Sequence, residues 1–428
     1  MPEQSNSYNI IRKPPKWIII FSLIVAGEMI FTLPFHVIRY FRPTLLDVFS
    51  LTNTQVGDAI AIYGITAMIC YFPSGVIADR FSSRRLMSLS LLVTALGGVY
   101  MVSIPNQLGL SLLFGFWGIT SILMFWSAML RATREWGGEL AQGRAFGLLD
   151  GGRGLVGAAA ATIAVFFLAS FLPIDLENID SEQRVRALKA VIWFYTILTF
   201  LAAILVWVFI PDTINKTARN KFFIGIVKVL KSRSAWIQAI IVITAYCAYR
   251  GLDFYALYGV DVLGMNEVSA ARFMSNATYI RPVAAVTAGF IADRFTTRKV
   301  IVSTFGVLFL SYLLLLVLSP AKNGINIIFV NLVITVLAVY ALRGVYFGLF
   351  EETNVPKRLT GTTVGLVSLI GYTPDIFFQS IAGRILDANP GVEGFHNFYI
   401  YLSVFAIVGL IVTLFLTPRK IFKPAGKK

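Results

Sequence analysis

Eight ionisable side chains lie inside long apolar stretches of this 428-residue chain, five near the middle of a stretch and three nearer one end: Glu28, Arg250, Asp253, Arg281 and Asp375, then Asp150, Arg153 and Arg343. A charged group at such a depth in hydrocarbon is costly, so it usually faces a water-filled cavity or a charged partner. We therefore expect these residues to bind an ion, to pair with one another or to move a proton.

Arg281 is the first candidate for binding an anion. No acidic residue lies within four positions of it, and Pro282 follows it directly. A guanidinium group suits a planar or tetrahedral oxyanion because its N–H donors form a fixed fork. We expect further substrate contacts from residues at a similar depth: Arg250, Glu28, Tyr246, Tyr249, Trp126 and Tyr372.

Glu28, Asp253 and Asp375 are the candidates for proton coupling. Surroundings of low dielectric favour the neutral form of a carboxyl group, which lets it take up and release a proton during a cycle. For Glu28 a simple ion pair with Arg281 or Arg250 is the alternative explanation.

Two ion pairs within single helices are also expected. Asp150 and Arg153 are three residues apart, as are Arg250 and Asp253, and this spacing places opposite charges on one helical face. A structural role for these pairs is the alternative to a functional one.

Membrane helices must position these residues. Hydrophobic residues make up 57% of the chain and charged residues 14%, with a mean hydropathy of +0.75. The chain therefore carries more apolar surface than a water-soluble core can bury. Windows of about 20 mostly apolar residues predict an all-α membrane protein with twelve transmembrane helices: 16–40, 55–78, 85–104, 108–132, 144–171, 187–210, 235–262, 267–292, 299–318, 324–350, 361–386 and 396–417.

A duplicated segment divides these helices into two sets of six. The segment 75–85, GVIADRFSSRR, returns 214 positions later at 289–299 as GFIADRFTTRK, each time after the second helix of a set. An internal repeat of this kind predicts two pseudo-symmetric bundles. We expect an N-terminal bundle at 1–210, a basic cytoplasmic linker at 211–234 and a C-terminal bundle at 235–428.

The duplicated loops also predict a conformational latch. Glycines permit close helix approach, aspartates bind the positive end of a neighbouring helix, and arginines hold the loop among the lipid headgroups. The latch residues are Gly75, Asp79, Arg80, Arg84 and Arg131 in the first half and Gly289, Asp293, Arg294 and Arg298 in the second. The alternative is that these charges only anchor helix ends.

The distribution of basic residues predicts the orientation. The net charge is +15, and most of the 37 Lys and Arg residues fall in the two tails and the connections on one side, as cytoplasmic segments do. Because they are dispersed beside lipid, they favour anionic headgroups over nucleic acid as partners. Apolar residues at helical spacing in 211–234 predict an amphipathic helix on the membrane surface.

With six helices, a basic linker, six more helices and the repeated G-x-x-A-D-R loop, the chain resembles the major facilitator superfamily of secondary transporters. The resemblance implies two bundles that rock around a central site and open it to each side in turn. It also implies that Asp79 bonds across the bundle interface when the cytoplasmic side closes, with Arg131 or Arg134 as its cationic partner.

One segment is similar to the nitrate and nitrite porters. The run YIRPVAAVTAGFIADR resembles their eighth helix, in which the arginine that corresponds to Arg281 grips the anion. The place of their second arginine is taken here by Ala67, so nitrate itself is not implied. The run RATREWGGELAQGRAFGLLDGGRG is similar to a broad bacterial branch without a defined substrate.

These observations predict a proton-coupled carrier of a small organic anion, such as a sugar acid, carboxylate, phosphate ester or sulfonate. Two alternatives are an exporter of hydrophobic cations or drugs by proton antiport, favoured if Glu28 is free of arginine, and a transporter-like sensor. No phosphate-binding loop, metal-ligand cluster or nucleophile with a base stands out, so we expect no enzyme activity, metal or cofactor. We expect a multi-pass monomer in the inner membrane with both termini cytoplasmic.

Overall fold

The computed structural model describes residues 14–138, 142–172, 180–213, 232–320, 324–349 and 360–416. These residues form twelve long helical segments, numbered α1 to α12 here, which follow the twelve predicted windows in order. The segments are α1 Lys16–Met29 continued by Val37–Phe49, α2 Asn53–Arg80, α3 Ser83–Met101, α4 Gln107–Gly137, α5 Gln142–Phe171, α6 Ser181–Phe209, α7 Arg233–Asp261, α8 Glu267–Thr278 continued by Ile280–Arg294, α9 Thr297–Val317, α10 Ile325–Gly348, α11 Thr360–Gly371 continued by Pro374–Ala388, and α12 Val392–Leu414.

Length and composition identify most of these segments as membrane spans. Within the described ranges, eight of them, namely α2, α4, α5, α6, α7, α9, α10 and α12, are long and apolar enough to cross a bilayer, and α1 qualifies if its two parts, bent by 41°, count as one span. The other three pack beside qualifying helices: α3 against α6, α8 against α10, and α11 against α2 and α7. The predicted all-α membrane fold is confirmed.

Several helices change their geometry partway along. α1 contains a π-helical turn at Thr32–His36, where Pro34 removes a backbone N–H donor. α4 has a π-helical turn at Thr120–Trp126, and α7 has a 3₁₀ turn at Leu252–Phe254. Irregular backbone at membrane depth is tolerated where it lines a protein-enclosed cavity, and π-turns often mark functional sites. These breaks therefore predict where a cavity lies.

The two halves repeat each other in detail. Thr52 caps α2 by accepting a hydrogen bond from the backbone N–H of Gln55, and Asn266, 214 positions later, caps α8 by accepting one from Ser269. In the first half α2 packs on α4 and α3 on α6, and in the second α8 packs on α10 and α9 on α12. The chain thus forms two pseudo-symmetric six-helix bundles. The domain limits 1–210, 211–234 and 235–428 stay a prediction, and most of the expected linker helix, 214–231, lies outside the described residues.

The bundles meet closely at one end and separate at the other. Near the start of α2, a Cβ atom added at Gly383 of α11 would lie 2.5 Å from the carbonyl oxygen of Asn53, so the two backbones touch. At the end that carries the duplicated loops, an added Cβ at Gly75 or Gly289 meets nothing within 4 Å among the described residues. The close approach predicted for these two glycines is therefore wrong for this conformation. We call the first end the sealed face and the second the open face.

Candidate functional site

A central cavity lies between the bundles and contains about 870 Å³ of space, including its mouth. Its walls come from α1, α2, α4 and α5 of the first bundle and from α7, α8, α10 and α11 of the second. The charged residues in its walls are Glu28, Arg39, Arg153, Arg250, Arg281, Arg343 and Asp375. Six of these seven are among the ionisable residues selected from the sequence, and Arg39 is the addition.

Glu28 is surrounded by three basic side chains from three helices. Its carboxylate lies 3.3 Å from Nε2 of His36, 3.2 Å from Nε of Arg153 and 3.7 Å from Nη1 of Arg281. Only 4% of the residue is exposed. The ion pair between Glu28 and Arg281, one of the two explanations offered by the sequence, is present.

Arg281 reaches from the second bundle across to the first. Besides Glu28, it contacts Asp150 of α5 through a hydrogen bond of 2.9 Å from its Nη2 to Oδ1. The predicted pair between Asp150 and Arg153 is wrong for the described structure, because Asp150 bonds to Arg281 while Arg153 faces Glu28. Asp150 has a partner across the interface, and Arg153 has one on another helix of its own bundle.

A second cluster is built around Arg250 of α7. Its Nε donates to Oδ1 of Asp375 at 2.6 Å, and the hydroxyl of Tyr246 donates to Oδ2 of the same carboxylate at 3.1 Å. The predicted neighbour Asp253 lies 3.5 Å from Nη1 of Arg250. Asp253 is bound more closely by Nε of Arg39 at 2.5 Å. Asp253 and Asp375 are therefore each held by a short charged hydrogen bond from an arginine.

Arg343 of α10 has a different environment. Its guanidinium carbon lies 3.8 Å from the ring centroid of Tyr249 and 6.0 Å from that of Tyr246. Among the described residues, no carboxylate lies within ion-pair distance of it, and the residue is half-buried in the cavity wall. A cation held by tyrosine rings and without an acidic partner is the most open site for an anion in this cavity.

The four aromatic residues predicted to contact substrate, Tyr246, Tyr249, Trp126 and Tyr372, all line the cavity. The rings of Tyr246 and Tyr372 lie 4.9 Å apart, and those of Tyr246 and Tyr249 lie 5.8 Å apart. Their contact with a substrate stays a prediction. They form an aromatic wall beside the charged clusters.

A polar network closes the cavity at the sealed face. Gln379 of α11 donates to Asp253 at 2.7 Å, and the hydroxyls of Tyr40 and Thr278 lie 2.9 Å apart across the interface. At the rim, Asp387 accepts from the backbone N–H of Thr54 at 2.7 Å, which places a carboxylate at the N-terminus of α2. The last two bonds join the two bundles, while that of Gln379 lies within the second bundle.

Sequence reasoning did not select His36 and Arg39, and it named Arg343 without giving it a substrate contact. Arg343 met the same criterion as Arg281, since it also has no acidic residue within four positions, so that signal was available. His36 and Arg39 fall at the end of the first predicted window, 16–40, and neither was selected as a site residue. The π-helical turn and the continuation of α1 to Phe49 bring both residues to the cavity instead.

The latch residues lie at the open face, and the bonds described for them stay within one bundle. Asp79 and Asp293 are exposed and have no partner within the described ranges. Arg131 donates instead to the carbonyl oxygens of Ala78 and Phe81, to that of Thr213 and to Glu135. The pair between Asp79 and Arg131 is thus absent from this conformation and stays a prediction for the state in which this face is closed.

The other latch arginines occupy helix ends. Arg84 bonds to Asp212 beyond α6 at 2.8 Å, and Arg298 donates to the carbonyl oxygen of Leu414 at 2.6 Å. Arg294 lies 5.9 Å from the ring centroid of Phe295, and Arg80 is exposed. These contacts fit the anchoring role that the sequence left open as an alternative.

Known proteins resemble this chain along most of its length. It is 29% identical over 432 residues to the inner membrane protein YqcE of Escherichia coli (strain K12), covering 98% of this chain and 97% of that protein, and 27% identical over 418 residues to YihN of the same organism, covering 94% and 96%. It is 25% identical over 279 residues to the probable nitrate/nitrite antiporter NarK1 of Thermus thermophilus, covering 61% of this chain and 58% of that protein.

The fold is shared with solved transporters. A bacterial homolog of the human lysosomal transporter Spinster, in an inward-facing and occupied conformation, aligns with a TM-score of 0.70 at 17% identity over 93% of this chain and 95% of that chain. The sequence profile of the Major Facilitator Superfamily matches residues 17–378. With this match over most of the chain, two six-helix bundles and a charged cavity between them, the protein belongs to the Major Facilitator Superfamily.

Proposed function

We propose that this secondary transporter carries a small organic anion across the membrane by alternating access, coupled to protons. The substrate classes are those expected from the sequence: a sugar acid, a carboxylate, a phosphate ester or a sulfonate. One observation carries the proposal, namely that Arg343 reaches the cavity without a carboxylate partner among the described residues. A cation at membrane depth is costly when it has no anionic partner, so an anionic ligand completes the site.

Alternating access is supported by the asymmetry of the two faces. The network around Arg39, Asp253 and Gln379 closes one face, while the duplicated loops at the other face are apart. The charges of the tails and connections assign the loop face to the cytoplasm. The structure then corresponds to an inward-open state, with both termini cytoplasmic. The relatives named as inner membrane proteins support that membrane as the location.

Glu28 is the carboxylate best placed for proton coupling. Asp253 and Asp375 are held by arginine at 2.5 and 2.6 Å, whereas the nearest basic atoms to Glu28 lie 3.2 to 3.7 Å away. One of its oxygens, Oε2, is buried without a hydrogen-bond partner among the described residues. Glu28 is therefore the cavity carboxylate that arginine holds least closely, and the one we assign to proton coupling.

The alternative function, export of hydrophobic cations, is not favoured by the cavity that the structure describes. That function needs an acidic residue in the cavity that is free of arginine. Glu28 has Arg153 and Arg281 within 4 Å, and Asp375 has Arg250. The cavity is therefore matched to an anion.

The test is binding followed by uptake. Purified protein is screened by thermal shift against carboxylates, sugar acids, sulfonates and phosphate esters, because a ligand that binds the native state raises its melting temperature. Compounds that stabilise the protein are then tested for uptake into proteoliposomes with and without a pH gradient.

Arg343→Gln and the control Arg272→Gln are compared in both assays. We expect Arg343→Gln to lose binding and uptake and Arg272→Gln, at an exposed position of α8, to keep both. Full binding and uptake by Arg343→Gln would contradict the proposal.

A further inference from the structure

The formal charges of the arginines and carboxylates at the cavity can be summed. Five arginines line it, Arg39, Arg153, Arg250, Arg281 and Arg343, together with the carboxylates of Glu28 and Asp375. Two more carboxylates, Asp150 and Asp253, bond to lining arginines from beside the cavity. With His36 neutral, five positive and four negative charges leave a sum of one positive charge among the described residues.

The pairing of these groups assigns the surplus charge to one residue. Arg39 pairs with Asp253, Arg250 with Asp375, Arg281 with Asp150 and Arg153 with Glu28, at distances of 2.5, 2.6, 2.9 and 3.2 Å respectively. By its shortest arginine contact, each of the four carboxylates is thus matched to a different arginine. Arg343 is the fifth arginine, and its described neighbours are the rings of Tyr249 and Tyr246.

The ring contact leaves the donors of Arg343 available. The guanidinium carbon lies over the ring of Tyr249 at 3.8 Å, so the aromatic face holds the cation. The N–H donors lie in the guanidinium plane, and none of them has a hydrogen-bond acceptor among the described residues. A carboxylate or sulfonate can accept two of these donors side by side, which is the strongest geometry for such a pair.

We propose that the substrate carries a single negative charge, which Arg343 binds. This inference rests on the proposed function and makes it narrower. With Glu28 ionised, a monoanion brings the sum of charges in the cavity to zero, whereas a dianion leaves one unpaired negative charge and a neutral compound leaves Arg343 unpaired. An unpaired charge in surroundings of low dielectric is costly, so the balance selects by charge.

The first experiment compares compounds that share a carbon skeleton and differ in charge. Glucose, gluconate and glucarate form one such series of zero, one and two negative charges, and sugar sulfonates with their neutral parent sugars form another. Phosphate esters are left out because their second ionisation falls near neutral pH and mixes two charge states. Thermal shift and competition measure the affinity of each member for the purified full-length protein.

We expect the singly charged members to bind about tenfold or more tightly than the neutral and doubly charged ones. Each of those leaves one charge in the cavity unpaired, which should lower the affinity by about a factor of ten or more. Preference for the doubly charged members would overturn this inference and leave the anion carrier standing. Binding confined to the neutral members would overturn both. If no anion of either series stabilises the protein at millimolar concentration, the anion proposal itself is overturned.

The second experiment changes the balance by one charge in each direction. Arg343→Gln brings the sum to zero, and we expect it to lower monoanion affinity about 10- to 100-fold and to remove the discrimination against neutral sugars. Asp150→Asn raises the sum to two positive charges, and we expect it to shift the preference towards the dianion. Arg343→Lys keeps the charge and should keep the preference for a single charge.

Arg272→Gln, at an exposed position of α8, is the matched control and should leave the charge preference unchanged. An Asp150→Asn variant that is folded and binds ligand with an unchanged charge preference would contradict the inference that the summed charge of the cavity selects the charge of the substrate. Since this variant also removes a partner of Arg281, its monodispersity in detergent is measured alongside.

Discussion

Arg39 and Asp253 are joined across the bundle interface by a hydrogen bond of 2.5 Å between Nε and Oδ1. They are 214 positions apart, the same offset that separates the duplicated loops and the helix caps Thr52 and Asn266. Equivalent positions of the two halves therefore carry opposite charges and bind each other near the pseudo-symmetry axis. The ion pair must break when the sealed face opens.

Asp253→Asn should weaken the sealed face. Removing one member of a buried ion pair leaves the other charge uncompensated, at a cost of about 3–5 kcal/mol to the sealed state. The variant should populate the state open at that face. Labelling of a Thr278→Cys reporter by an impermeant maleimide measures the opening, on a background in which the buried Cys70 and Cys247 are replaced by alanine.

Two variants control that experiment. Arg384→Gln removes an exposed pair with Asp58 on the same face, which is worth about 0–1 kcal/mol, and should leave labelling unchanged. Exchange of the two charges, Arg39→Asp with Asp253→Arg, should restore protection. Equal labelling of Asp253→Asn and the parent protein would show that this ion pair does not hold the sealed face.

Arg281→Ala should abolish uptake while the protein stays folded in the membrane. Arg281 contacts Glu28 and Asp150 of the opposite bundle. Its loss removes the positive charge that both carboxylates contact and breaks these ion pairs between the bundles. Uptake into proteoliposomes and elution from a sizing column test the two parts of the prediction. Normal uptake by this variant would remove Arg281 from the transport mechanism.

Glu28→Gln should uncouple transport from protons. The amide keeps the size of the side chain but does not take up a proton near neutral pH. Accumulation driven by a pH gradient should therefore be lost, while substrate exchange at equal pH continues. Asp375→Asn is the comparison, since its bond to Arg250 at 2.6 Å makes it a structural partner whose loss should impair both activities. Retained pH-driven accumulation in Glu28→Gln would assign coupling to another group.

Asp79→Asn should slow the conformational cycle more than it weakens binding. Asp79 is exposed in this conformation, and a latch contact to a helix end is worth about 0.3–1 kcal/mol, so turnover should fall about two- to fivefold with little change in affinity. Asp293→Asn, at the equivalent position, should act in the same direction. A large loss of affinity with unchanged turnover would contradict the latch.

The helix layout followed from the sequence because lipid leaves few options. Long apolar windows must become helices that satisfy their own backbone, so twelve segments and a duplication at 75–85 and 289–299 were enough to predict two bundles. The breaks were not predicted. Pro34 marks a place where a helix can deviate, yet the resulting π-helical turn, which carries His36 into the cavity, depends on the helices packed around it.

The sequence by itself determined the membrane class, the two halves and the set of charged residues that had to find partners. Only the tertiary structure decided the partners, because pairing depends on distances between helices that are far apart in the chain. Asp150 therefore binds Arg281 in place of Arg153, Asp253 binds Arg39, and the residue left over is Arg343. The sequence gives the type of each side chain, but whether its charge is paired depends on what the fold places within a few ångströms of it.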